Sequence, residues 1–188
     1  MPSQTALYTT FTILAGIFGF VLLWLWGAYN GFVTKKNQVK TDFADIDVQL
    51  KRRASLIENL ANVVKGYAKH EEETFKGVAA ARAALDTSKG AADSAKADNM
   101  LSSTLRSLFA VVENYPKLQA NENFIQLQND LRETENYIAR VREEYNQTVR
   151  NYNNRVQTFP NLLAAALFGF KPEEMFSAPE AVNAPILS

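Results

Sequence analysis

The fold predicted from the sequence is all-α: an N-terminal transmembrane helix followed by an elongated up-and-down helical bundle with heptad-like seams. Three observations carry this expectation. The first charged side chain is Lys35, and everything before it except the chain terminus is neutral, with a dense apolar run from Ala6 to Ala28. After Pro2 no proline occurs until Pro116, so the long stretch between them contains no residue that forbids a helix. Apolar side chains then recur in alternating steps of three and four, and no window shows the sustained alternation of β-branched residues that a strand requires.

At 1.5 Å per residue the run from Ala6 to Ala28 makes a helix of about 34 Å, enough to cross a hydrocarbon layer of ~30 Å. A secretory signal peptide would need a basic start, a shorter apolar centre and a small-residue cleavage site, none of which is clear here. Trp24, Trp26 and Tyr29 gather at the end of the run, where amphipathic rings prefer the headgroup region. Lys35, Lys36 and Lys40 follow, and the amino-terminal side has no Lys or Arg. The expectation is a single-pass protein of the cell inner membrane or plasma membrane, with residues 1–5 outside and the bundle cytoplasmic. Ala15 and Gly19 have the small-xxx-small spacing that lets two spans approach, but such pairs are common in apolar helices.

Behind the anchor the chain is long enough for one domain with a substantial core and too short for two. Residues 29–160 are assigned to the bundle and residues 161–188 to an apolar hook and extended tail. Lys plus Arg equals Asp plus Glu at 20 each, so no net field draws in nucleic acid. The absence of Cys removes a disulfide framework, a thiolate nucleophile and zinc-knuckle spacing, and leaves the redox compartment open.

The first seam runs Val39, Phe43, Ile46, Leu50, Ile57, Leu60, Val64 and Tyr67, with Arg53 filling its one gap. An Ala-rich stretch follows, broken by a turn signal at Asp86, Thr87, Ser88 and Gly90, after which Asp93 or Ser94 is the expected helix cap. Leu101, Leu105, Leu108 and Val112 make a short seam. The last seam, Phe124, Leu127, Leu131, Thr134, Ile138, Val141, Tyr145, Thr148 and Tyr152, lies between Pro116 and Pro160 and nearly matches the first in length. The first rod is expected to continue from the span without a break.

The run ADIDVQLKRRASLIENLANVVKGYAKHE at residues 44–71 resembles the signature of the LemA family. The resemblance extends through YNGFV at 29–33, AAAR at 79–82, NYPKLQANENFIQLQNDLRETENYIARVREEYN at 114–146 and RNYNNRVQTFP at 150–160. Phe43 stands where the family usually has tryptophan, and Glu58 where a proline often follows Leu-Ile; neither change damages the seam. The resemblance implies a membrane-anchored helical protein with no established enzymatic activity.

Candidate chemistry is sparse. His70, the single histidine, precedes Glu71, Glu72 and Glu73, but di-metal bundles need Glu-x-x-His on two helices, and one histidine cannot supply both. A solvated helical face is the better account. For Arg53 the simpler expectation is a stem lying along the seam and a guanidinium reaching a carboxylate at its edge; the sharper one is a buried charge that fixes register or partner choice. Asp45, Asp47 and Arg52 are expected as solvated ion pairs and not as a catalytic arrangement. No phosphate-cradling loop or base–nucleophile motif is present. No residue is therefore assigned a catalytic, cofactor or metal role. Asp45, Asp47, Arg52, Arg53, Glu58 and His70 are the candidates for register or interaction.

After Pro160 an apolar run too short to span a bilayer appears. A short helix folded onto the bundle, burying Leu162, Leu163, Leu167, Phe168 and Phe170, is the first expectation; the alternative exposes these side chains to the membrane surface or a neighbouring subunit. The terminal SAPEAVNAPILS is expected to be extended. In function the sequence points to a non-enzymatic, membrane-anchored scaffold that forms homo-oligomers or recruits membrane protein partners at the bilayer's cytoplasmic face. Its rivals are an adaptor or regulator of a membrane enzyme such as a membrane protease, and a membrane-shaping protein.

Overall fold

The proline-free run is used for one very long helix and a helical hairpin. The computed structural model describes residues 4–176. Its elements are α1 (Gln4–Lys65), α2 (Glu72–Asp86), α3 (Gly90–Val112), α4 (Pro116–Gln119), α5 (Glu122–Gln157) and α6 (Asn161–Phe168), with no strand among the described residues. α1 runs without interruption through the apolar stretch into the first seam. It ends where Gly66 and Tyr67 tighten the last turn, their N–H groups donating to Val63 and Val64 carbonyls at 3.2 and 2.9 Å.

The described residues form two compact units, to both of which α1 and α5 contribute. One comprises residues 40–147 with 174–176. Here α1 and α5 pair antiparallel in constant register: Tyr67 with Asn121, Arg53 with Glu135 and Phe43 with Tyr145. α2 also runs antiparallel to α1, since Lys65 stands over the Phe75 ring and Glu58 pairs with Arg82. The seam side chains Ile46, Leu50, Ile57, Leu60 and Val64 are at most 1% exposed. Each such enclosure contributes about 1.5–3 kcal/mol.

Local chemistry sets the connections. Thr87 and Ser88 hydroxyls donate to the Ala83 and Leu85 carbonyls at 2.9 and 2.8 Å, and Gly90 takes φ +81°, a region costly for side-chain-bearing residues. α3 therefore restarts at Gly90, earlier than the expected caps Asp93 and Ser94; Ser94 is buried and shares a 3.0 Å hydrogen bond with Ser88. Pro116 opens α4, and Asn121 Oδ1 accepts the Phe124 N–H at 3.1 Å to start α5.

The other unit comprises residues 4–39 with 148–173. Here the start of α1 leaves large apolar side chains in the open, Phe11, Leu14 and Phe18 being 72, 64 and 65% exposed. α1 is the one helix among the described residues long and apolar enough to cross a membrane. Past Ala28 its inner face closes: Phe32 is fully buried, as are Val149 and Tyr152 of α5. α5 carries its core here on Val149 and Tyr152, with Thr148 only half-buried.

Candidate functional site

Arg53 occupies a seam position of α1, and a side chain there faces the bundle interior. The structure buries it, 3% exposed, inside the 40–147 unit. Its Nη1 donates to Asp98 Oδ1 at 2.5 Å, and its Nη2 donates to the Ser102 hydroxyl at 3.0 Å and lies 2.6 Å from Glu135 Oε1. Asp98, from α3, is fully buried, and its second oxygen accepts from Arg142 of α5. Two cations and two anions thus join α1, α3 and α5 with no formal net charge. The Arg142 guanidinium also lies 4.9 Å from the Phe176 ring.

Electrostatics within the cluster are asymmetric. Burial pushes the Glu135 carboxyl up, opposed by Arg53 and reinforced by Asp98. Burial lowers Arg142, which Asp98 counteracts. The Nε atoms of Arg53 and Arg142 are buried without a hydrogen-bond partner. A carboxylate that accepts from two guanidinium groups on different helices makes strong charge-assisted hydrogen bonds, and this geometry suits bracing helices better than proton transfer.

The other charged candidates lie apart from this cluster. Asp47 pairs with Lys51 at 2.7 Å, and Glu58 with Arg82. Asp45 and Arg52 are exposed on α1, and His70 is exposed in the turn before α2. No group of three His, Cys, Asp or Glu residues among the described ones is arranged to hold a metal ion. Sequence reasoning pointed Arg53 to a carboxylate at the seam edge and missed Asp98, Glu135 and Arg142. One signal existed: stepping the Leu101 seam back by one position lands on Asp98. Glu135 and Arg142 flank seam residues Thr134 and Val141, and nothing in the spacing distinguishes them from solvated neighbours.

The hook expectation needs correction. In α6 Ala164 and Ala165 are buried, while Leu162, Leu163, Leu167 and Phe168 are exposed by 48, 61, 67 and 40%; Phe170 is half-buried. The buried face is made of these two alanines, and the leucines lie on the opposite, exposed side. Tyr29 receives the edges of Phe168 and Phe170 at ring separations of 5.1 and 5.7 Å; Trp24 is half-buried and Trp26 exposed.

After α6 the chain returns as an extended strap held by asparagines of α5. In one unit Asn153 accepts the Glu173 N–H and donates to its carbonyl, both at 2.9 Å; Tyr152 donates to the Lys171 carbonyl and Lys36 pairs with Glu173 at 2.8 Å. In the other Asn146 treats Phe176 likewise, at 2.8 and 3.1 Å, and Phe176 is 1% exposed. An Asn side chain can satisfy both backbone groups of one extended residue, so the strap needs no neighbouring strand. The terminal segment 177–188 lies outside the described residues.

The chain was compared with known proteins. The LemA family profile matches residues 42–187. Similar proteins include magnetosome protein MamQ 2 of Paramagnetospirillum magneticum, 27% identical over 186 residues that cover 85% of this chain and 68% of the relative. Magnetosome protein MamQ of Magnetospirillum gryphiswaldense is 25% identical with the same coverage. Protein LemA of Metamycoplasma hominis is 25% identical over 152 residues, covering 79% of this chain and 67% of the relative. With a family match spanning the bundle and the tail, the chain belongs to the LemA family.

Proposed function

We propose that the protein is a non-enzymatic, membrane-anchored scaffold that presents its helical bundle at the cytoplasmic face and gathers further copies of itself or membrane protein partners there. The observation that carries this reading is the division of apolar surface. Most seam side chains, Ile46, Leu50, Ile57 and Ile138 among them, are buried within one chain, while the start of α1 leaves its apolar side chains open to a bilayer. Orientation rests on Lys35, Lys36 and Lys40 following the span. The relatives carry names that describe no reaction.

For recruitment, the bundle offers a shallow depression lined by Asn59, Asn62 and Val63 of α1 and Asn123, Gln126 and Leu127 of α5. Uncharged amides around a small apolar patch suit the backbone of a partner segment better than an ionic ligand. Arg53, tied to Asp98, serves in this scheme as an internal register key that holds α1 and α3 in one alignment.

The test is the state of the full chain in detergent and in vesicles. A defined oligomer, or a partner crosslinked through a photoreactive group at Asn62 or Asn123, is expected. A strict monomer over a wide concentration range with no crosslinked partner would overturn the scaffold. Vesicle remodelling by the purified protein alone would instead favour membrane shaping.

A further inference from the structure

α6 buries Ala164 and Ala165 and exposes its large side chains. Ala164 and Ala165 are 0 and 2% exposed, whereas Leu163 and Leu167 are 61 and 67% exposed and Phe159, just before the helix, 75%. Folding in water favours the reverse arrangement, because apolar burial contributes about 25 cal/mol per Å². From Thr158 to Phe170 no charged side chain occurs.

The location of the helix says what covers it. Within the same compact unit, Phe168 and Phe170 pack edge-on against Tyr29, and Phe170 lies 5.1 Å from the Phe32 ring. Tyr29 directly follows the apolar run ending at Ala28, and Trp26 beside it is 68% exposed. α6 is therefore fastened to α1 at the level where the spanning stretch ends, the depth at which aromatic rings settle between headgroups and acyl chains. Leu22, Leu23 and Trp26, in the last turns of the apolar run, are exposed as the α6 leucines are. The next charges along the chain after α6 are Lys171 and Glu173, the latter paired with Lys36 at 2.8 Å.

We propose that α6 is an interfacial helix whose Leu162, Leu163, Leu167 and Phe168 insert into the acyl boundary of the leaflet through which α1 emerges. The occupant of this face is lipid. The inference rests on Ala6–Ala28 spanning the bilayer. A second point of insertion, rigidly tied to the span by the Tyr29 cluster, would fix the rotation of α1 about its own axis, which a lone span leaves free.

The chain has no cysteine, so single cysteines can be introduced for labelling. The full chain is reconstituted into phosphatidylcholine–phosphatidylglycerol vesicles with an environment-sensitive fluorophore on Leu163→Cys or Leu167→Cys. Leu14→Cys serves as reference for the span and Asn129→Cys for water. The expected result is blue-shifted emission from both α6 sites, most of it lost to a nitroxide at a shallow acyl position and little to one near the bilayer centre. Water-like emission from the α6 sites with Leu14 in lipid overturns this inference alone; Leu14 in water removes the membrane anchor and this inference with it. Disulfide-linked pairs through Leu163→Cys without lipid quenching would assign the face to a second copy and also overturn it.

Discussion

Arg53 fills the one gap of the first seam, and the structure buries it where the simpler expectation put its guanidinium at a carboxylate on the seam edge. A charged side chain at an inward position must be matched, and the match came from Asp98 on a different helix, itself engaged by Arg142. Asp98→Asn takes the shared anion from both guanidinium groups, leaving Arg53 only Glu135, and a loss of about 3–5 kcal/mol is expected. Arg53→Leu costs less, because Asp98 keeps Arg142; chemical denaturation of the two variants in detergent checks the order. An equal or greater stability of Arg53→Leu, with oligomeric state unchanged, would remove its role as a register key. Glu135 behaves differently. Its carboxyl is raised by burial, so its contribution to stability is present below the ordinary carboxylate value and is lost as pH rises through the raised one. Glu135→Gln keeps the neutral form at every pH. The variant should be no less stable than the parent at neutral pH and should lack the part of the parent's gain on mild acidification that comes from this group, while Arg53, Asp98 and Arg142 still face it. Unfolding midpoints measured from acid to neutral pH decide the matter, and a large loss at neutral pH would contradict it.

Helix ends show how far local signals reach. The turn between α2 and α3 was legible from Asp86 to Gly90, yet the restart fell at Gly90 because its left-handed φ points the chain into α3 before Asp93 or Ser94 can act as caps. The end of α6 had a local signal as well: Gly169, at φ +74°, lets the Phe170 N–H donate to the Ala165 carbonyl at 2.9 Å. A Cβ there meets no steric neighbour, so Gly169→Ala strains only the backbone. The expected cost is about 1–2 kcal/mol. Because the same turn delivers Phe170 to Tyr29 and sends the chain back toward the strap, limited proteolysis after Lys171 should accelerate in this variant; an unchanged cleavage rate would show that the asparagine clamps hold the strap without it. Those clamps were not legible at all. Asn146 and Asn153 sit one heptad apart and resemble solvated helix residues until the extended chain appears beside them.

In the chain as a whole, the apolar surface has two destinations, and they answer to different solvents. Seam residues such as Ile46, Leu50 and Ile57 are enclosed by other parts of the same chain, so Ile57→Ala is expected to cost about 2–5 kcal/mol at any protein concentration. A denaturation midpoint that moves with protein concentration would instead show the seam shared between copies. The start of α1 and the outer face of α6 stay open, and a bilayer can cover both. The sequence by itself determined the helical class, the long apolar N-terminal stretch, the two matched seams and the family, because each follows from periodicity or from a long specific run of residues. Only the tertiary structure decided which partner Arg53 takes, which face α6 turns inward and how the strap is held. Those outcomes depend on side chains far apart in sequence arriving at one place, which no local period or propensity encodes.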